Sequence, residues 1–253
     1  MTKSILKNNA SFGARLGLIA LMVVVPVMAE AVVLYDASSG LPSSPPWLLL
    51  WDSFPFPPNP APVIAGGALN LDTSPHDSVG YGYVAPLLLD PTAGYRLAFN
   101  LRIDAETHSS VDRAGFSIIA VSSDPTKAIE LSFWEDQVWT QNTGFTHGES
   151  AALDTMTALI QYELLVSGMN YELLAGGSSI LSGAMRDYSG FGLPYSSPNF
   201  LSFGDNTSSG SSTFALSFME LTDLPSASTP EPGTVSLLLV AGAALVSRRR
   251  RRR

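Results

Sequence analysis

The chain contains no cysteine. Disulfides and thiolate metal sites are therefore excluded, and an exported domain without disulfides has to be held by burial alone. Histidine is scarce: His76, His108 and His147 lie far apart and give no H-x-x-x-H ligand pair. No G-x-S-x-G occurs, which removes a nucleophile elbow, and there is neither a P-loop nor a dinucleotide fingerprint. No internal repeat is visible, which argues against a β-propeller or a parallel β-helix.

Positive charge is missing from the middle of the chain. Of the 14 Lys and Arg, Lys3, Lys7 and Arg15 lie in the first 31 residues and six arginines close the chain at Arg248 to Arg253. Only Arg96, Arg102, Arg113, Lys127 and Arg186 remain, against 20 of the 22 acidic residues, so residues 32–229 carry about −15, hidden by a whole-chain charge of −8. Such a domain repels nucleic acid and anionic lipid, so neither DNA nor RNA is expected as a partner. Excess carboxylate is compatible with Ca²⁺, a hard cation that takes oxygen ligands, and also with plain solubility.

What is present at the two ends reads as addressing. Lys3, Lys7 and Arg15 precede the apolar run Leu16 to Val27, and Ala29-Glu30-Ala31 follows it. That order is a signal peptide over 1–31, cut by signal peptidase after Ala31, or alternatively after Ala29. At the other end a linker (225–229) leads to Pro230-Glu231-Pro232, then a run of small and apolar residues from Gly233 to Val246, then the arginines. As a helix this run is roughly 21 Å long. That is short of the about 30 Å hydrocarbon core, a gap that snorkelling arginines and local thinning can close. The arginines mark a cytoplasmic end. A transmembrane helix is expected at 233–246.

Pro230, Glu231 and Pro232, the apolar helix and the basic end together resemble the bacterial PEP-CTERM sorting signal. The resemblance covers about 25 residues at the terminus. It implies recognition of the tail by a membrane-embedded exosortase, a host that makes exopolysaccharide, and an envelope or extracellular destination. It implies nothing about what the exported domain does.

Between these ends, residues 32–224 show strand periodicity. Tyr95, Leu97, Phe99, Leu101 and Ile103 alternate with Arg96, Asn100, Arg102 and Asp104, which places the two sets on opposite faces of a strand. Ala114 to Val121 is denser and reads as a central strand. Tyr162 to Val166, Tyr171 to Ala175 and Ser179 to Ala184 form a meander, turned at Ser167-Gly168-Met169-Asn170 and at Gly176-Gly177. Asn199 to Phe203 and Phe214 to Leu221 close the domain, with earlier strands at Val32–Tyr35, Ala68–Asp72 and Gly80–Val84. Leu41 to Pro62 holds eight prolines and reads as a long loop whose Trp47 to Trp51 and Phe54 pack on the fold. Asp205 to Thr213 reads as a polar loop.

Many short strands with Gly, Pro and Asn corners indicate an all-β antiparallel sandwich or jelly roll. The size and the late hairpin pattern resemble the concanavalin A-like lectin/glucanase sandwich. Glucanases of that class carry their acids on one strand as E-x-D-x-(x)-E. Here Glu130 has Ser132 in the aspartate position, and Glu135 lies an odd number of residues away, on the opposite face of a regular strand. The expected site is instead a hairpin, Ala128–Trp134 and Val138–Gln141, with Trp134 and Trp139 flanking Glu135 and Asp136, an arrangement that suits sugars. Asp205 and Asn206 are a second candidate, for calcium or sugar. The segment from Asp205 is no EF-hand, because its twelfth position is Leu216 where glutamate is needed.

The sequence thus leads to an exported, exosortase-sorted envelope or extracellular-matrix protein, not an enzyme, with no cofactor beyond a possible calcium ion. A lectin-like carbohydrate-binding module, with extracellular polysaccharide as partner, is the alternative, and a glycoside hydrolase the remote one.

Overall fold

The computed structural model describes residues 31–51, 60–74 and 78–224. The signal segment, with Ala29, and the sorting tail, with Pro230, Glu231, Pro232 and the 233–246 run, lie outside the described residues. Among the described residues no helix is long and apolar enough to cross a membrane.

Those residues form two antiparallel sheets of eight and seven strands. The strands are β1 (Ala31–Asp36), β2 (Trp47–Trp51), β3 (Val63–Ala65), β4 (Ala68–Asp72), β5 (Val79–Tyr83), β6 (Tyr95–His108), β7 (Ser117–Val121), β8 (Ala128–Phe133), β9 (Gln137–Gln141), β10 (His147–Ala152), β11 (Ile160–Ser167), β12 (Asn170–Ala175), β13 (Ser178–Ala184), β14 (Phe200–Asp205) and β15 (Gly210–Asp223). The first sheet runs β13-β12-β11-β6-β15-β4-β3, with β1 also paired to β15; the second runs β10-β9-β8-β7-β14-β5-β2. This is the expected antiparallel sandwich.

The two longest strands are the axis of the first sheet. β6 and β15 pair along their whole length, from Tyr95↔Asp223 at one end to His108↔Gly210 at the other. The alternation along β6 decides which side chains face in. Tyr95, Leu97, Phe99, Leu101 and Ile103 are buried to within 1 % of full exclusion. Arg96 points out and is held by Glu163 at 3.0 Å and Glu220 at 2.9 Å, on the strands to either side. Between the sheets, Phe99, Phe116, Phe133, Tyr162 and Phe214 form a chain of edge-to-face and stacked rings. Aromatic pairs of this kind add about 0.5–1.5 kcal/mol each beyond the area they bury.

The β11–β12–β13 meander has the expected corners. Ser167 pairs with Asn170 around Gly168-Met169, and Ala175 pairs with Ser178 around Gly176-Gly177. Gly176 and Gly177 have φ of 56° and 79°, the left-handed pair that a tight two-residue hairpin requires.

Two expectations about loops are corrected. Trp47–Trp51, read as part of a proline loop, is an edge strand pairing with β5. An edge strand needs its amide groups on one side only, so flanking prolines stop it from extending without preventing it. The polar stretch from Gly210 to Thr213, read as loop, is the start of β15 and pairs with Ala105 to His108. Serine fits the strand because its hydroxyl is satisfied locally, Ser212 Oγ donating to the Gly115 carbonyl at 2.7 Å and Ser211 Oγ lying 2.9 Å from Thr107 Oγ1, so polarity there did not mean loop.

Candidate active site

The site lies where β6 runs past the core. Up to Ile103 the inward residues of β6 are apolar; beyond it the strand carries Glu106 and His108. Two residues apart on a strand, they share a face. The β8–β9 turn brings Trp134, Glu135 and Asp136 against them, and the segment after β10 brings Asp154, Met156 and Thr157. Together these line a groove of about 770 Å³.

A buried threonine fixes the parts to one another. Thr155 donates its hydroxyl to the Trp134 carbonyl at 2.7 Å and to the Glu135 carbonyl at 3.1 Å, and its amide to the Glu135 carbonyl at 3.0 Å. Its own carbonyl accepts from Ile103 N at 3.0 Å, and Leu153 N donates to the Asp136 carbonyl at 2.9 Å. The turn, the segment after β10 and the end of β6 are therefore one hydrogen-bonded unit.

Within it, Glu106 and His108 form a dyad. Glu106 Oε2 lies 2.8 Å from His108 Nδ1, and Glu106 Oε1 accepts from Gly115 N at 3.1 Å. The Glu106 side chain is 2 % exposed and that of His108 is 30 % exposed. Burial raises the Glu106 carboxyl above the ordinary glutamate range, opposed by the hydrogen bonds from His108 and Gly115 and reinforced by the charge of Glu135. Glu135 in turn accepts from Glu106 N at 3.1 Å. The imidazole is held on a second side by Trp134, whose ring it stacks on, while the indole Nε1 donates to the Arg113 carbonyl at 2.9 Å. Nε2 of His108 has no hydrogen-bond partner among the described residues. The arrangement is that of a positioned acid or base: a carboxylate orients one ring nitrogen, a flat surface fixes the ring plane, and the ring lines the groove.

The expected hairpin is present, with Trp134, Glu135 and Asp136 as its turn, but its two tryptophans do different things. Trp134 is half-buried in the groove wall. Trp139 is fully buried, with His147 stacked on it at 4.1 Å, so it offers no face to a sugar and the expectation that it flanks the site is corrected. Strand alternation explains this, since Trp139 pairs with Ser132 on a face closed over by His147.

Asp205 and Asn206 do not assemble as a cation site. Asp205 is buried at the end of β14 and accepts from Thr207 N at 2.9 Å. Asn206 turns its amide to Glu130 Oε1 and Tyr195 Oη, each at 3.1 Å. Among the described residues no group of three or more His, Asp or Glu is placed to hold a metal ion. Glu130 itself is sealed beneath Tyr195, whose hydroxyl donates to it at 2.6 Å. Glu130 and Glu135 thus belong to separate surroundings, and the one-strand acid motif is not assembled.

Glu106, His108, Asp154 and Met156 were not singled out from the sequence. The readable signal was Glu106-x-His108 at the polar end of an otherwise apolar strand. Their meeting with residues 134–136 and 154–157 was not readable.

No protein-family profile matches the chain, and no curated protein matches it. Solved structures do. The fold is similar to that of a carbohydrate esterase from Shiga toxin-encoding bacteriophage phi24B, with 11% identity, TM-score 0.54, and coverage of 77% of this chain and 99% of that one. It is also similar to a Bacillus licheniformis beta-glucanase, with 10% identity, TM-score 0.50, and coverage of 78% and 99%. An endo-1,3-beta-glucanase from Streptomyces sioyaensis gives 10% identity, TM-score 0.50, and coverage of 78% and 96%. At these identities the likeness is one of fold. The expectation of a non-catalytic envelope or matrix protein is corrected by these neighbours, which are a carbohydrate esterase and two glucanases.

Proposed function

We propose that this chain is a carbohydrate-active hydrolase that cleaves glycosidic bonds in an uncharged polysaccharide. The observation that carries the reading is the Glu106–His108 dyad facing Glu135 in one groove. Hydrolysis of a glycosidic bond needs one group to protonate the leaving oxygen and another to take a proton from the attacking water. The dyad is suited to the first task. Burial raises the Glu106 carboxyl, Glu106 holds His108 Nδ1 at 2.8 Å, and in this reading His108 Nε2–H is the proton donor to the leaving oxygen. Glu135 is suited to the second.

In the step, the Glu135 carboxylate accepts a proton from water as the water oxygen bonds to the anomeric carbon. The carbon–oxygen bond to the leaving sugar breaks, and that oxygen takes the proton from His108 Nε2. The proton on Glu135 then passes through solvent to restore the dyad. Glu106 stays bound to Nδ1 throughout and keeps the ring in the tautomer the step requires.

Charge supports an uncharged substrate. Glu106, Glu135, Asp136 and Asp154 line the groove, and among the described residues no Lys or Arg does. A uronate or phosphate on the glycan would meet like charge without compensation.

The leader and the PEP-CTERM-like tail support export, with exosortase and signal peptidase as partners in transit and the envelope or exterior as destination. Ala31 pairs with Thr222 at the end of β15 far from His108. At about 3.3 Å per residue, the length of the β6–β15 pair puts roughly 40 Å between that end and the dyad. The described chain therefore begins and ends at the opposite end of the β6–β15 pair from the dyad.

The test is release of reducing ends from a panel of neutral polysaccharides by the purified full chain, beside His108→Ala and Glu135→Gln. Loss of a general acid or base lowers the rate by about 10²–10⁴-fold. Turnover that survives both substitutions, or no turnover of any neutral glycan, overturns the reading.

A further inference from the structure

His108 lines a second depression as well as the acidic groove. On its other side, where β6 and β15 pair at their far ends, lies a hollow of about 370 Å³ bounded by Thr107, Ser109, Ser208, Ser209 and Ser211. Both volumes fall within the about 300–1,000 Å³ of small-molecule sites. The chemistry of the two hollows differs. The first is acidic, with Trp134 and Met156 for apolar contact. The second carries hydroxyls and backbone, with His108 as the one ionisable lining residue among the described residues.

The walls of the second hollow are built rather than loose. Thr107 Oγ1 and Ser211 Oγ are 2.9 Å apart across the two strands, and Ser109 N donates to the Ser209 carbonyl at 2.8 Å. Ser209 N donates to the buried Thr207 hydroxyl at 3.1 Å. A hydroxyl both donates and accepts, so a ring of them matches the hydroxyls of a sugar. Among the described residues it offers no cation to a phosphate and no apolar wall to a lipid chain or a hydrophobic side chain.

We infer that the hydroxyl-lined hollow is a second sugar subsite, across His108 from the acidic groove, so that a polysaccharide chain runs over His108 and is cut internally. The inference rests on the hydrolase reading and adds the form of the substrate: a neutral polymer with sugar units on both sides of the bond that breaks. The hollow receives one side of the chain and the acidic groove the other, with the proton donor at the junction. Water adds across the bond as in the step above, and both products are oligosaccharides.

The test uses Ser208, which is exposed on the rim. Ser208→Trp fills the hollow, and Ser208→Ala removes one hydroxyl but leaves the space. Three readouts are compared for the full chain: viscosity loss against reducing ends for a neutral polymer, kcat/KM for that polymer, and kcat/KM for a short chromogenic glycoside that needs only the acidic side. Wild type is expected to lower viscosity well ahead of reducing-end release. Ser208→Trp is expected to lower kcat/KM for the polymer about tenfold or more while the short glycoside stays within about twofold. Ser208→Ala should lie between wild type and the tryptophan variant. Release of terminal sugars alone, or an unchanged polymer-to-glycoside ratio in Ser208→Trp, overturns the subsite while leaving the hydrolase reading intact. If no variant hydrolyses either substrate, the hydrolase reading fails by itself. Polymer affinity then still decides the subsite: weaker retention of Ser208→Trp in a polymer-containing gel supports it, and equal retention overturns it.

Discussion

The imidazole of His108 lies flat on the indole of Trp134, with ring centroids 4.2 Å apart and planes 6° from parallel. With Nδ1 bound to Glu106, the stack leaves the ring no free rotation: one contact sets its plane and the other its orientation in that plane. A proton donor fixed in this way needs no reorganisation when the bond breaks. The stack occupies one face of the indole, so Trp134 holds the His108 ring as well as lining the groove.

Trp134→Ala should therefore lower kcat more than it raises KM, by about tenfold or more. Trp134→Phe should recover most of the loss, since a flat ring is kept. Steady-state kinetics on a neutral glycan checks both, and ¹H–¹⁵N spectra of the His108 ring check the cause independently, because removal of the indole ring current shifts the imidazole protons. An Ala variant with unchanged ring shifts would show that the stack does not hold the imidazole.

Gly115 should tolerate no side chain. A Cβ there would stand 2.0 Å from the Ser211 carbonyl carbon, and the Gly115 amide donates to Glu106. Gly115→Ala is expected to destabilise by about 3 kcal/mol or more, as overpacking against backbone does. Denaturant unfolding measures this. Gly190, whose surroundings are open and whose backbone is outside the left-handed region, makes the control at a second glycine.

Glu130 gives stability a pH dependence of known sign. Burial raises its carboxyl above the usual range, with the hydrogen bonds from Tyr195 and Asn206 opposing. The folded state thus binds a proton that the unfolded state releases near its ordinary value of 4.5. The contribution is present in full below that value and is lost as pH rises through the higher folded value. Thermal unfolding of wild type and Glu130→Gln across pH 4 to 8 should show the variant improving relative to wild type as pH rises. A difference that is flat with pH would mean Glu130 is not buried as described.

Phe133 tests the core beneath the site. Its ring contacts Phe99, Phe116 and Tyr162, and it ends β8 just before the Trp134 turn. Phe133→Ala should cost about 3–5 kcal/mol. Activity per folded molecule should fall as well, because the turn that carries Glu135 begins at the next residue.

Salt should separate substrate charge from substrate shape. If the acidic lining rejects polyanions, a uronate polymer should bind more weakly than a neutral polymer of similar linkage at low ionic strength, and the gap should narrow near 1 M salt, where the screening length is about 3 Å. Co-sedimentation or gel retardation reads this directly. A uronate polymer bound best at low salt would contradict it.

The architecture was legible because alternation is a local property. Tyr95 to Ile103 reads as a half-buried strand without knowledge of its neighbours, and Gly176-Gly177 reads as a hairpin because only glycine takes two left-handed positions cheaply. The edge strand Trp47–Trp51 was not legible, since its partner β5 is 28 residues or more further on and its flanking prolines signal the opposite. Trp139 was misread for a related reason: whether an indole is core or surface depends on His147, which covers it from the next strand.

The sequence by itself therefore determined the sandwich, the absence of thiol chemistry and the negative charge of residues 32–229, because each follows from composition or from residues near one another. The active groove was decided by tertiary structure alone. Glu106 and His108 on β6, Glu135 in the β8–β9 turn and Asp154 after β10 come from three separate stretches. They meet because the core ends at Ile103 while β6 continues beyond it, and because the buried Thr155 hydroxyl closes the turn and the segment after β10 onto that extension.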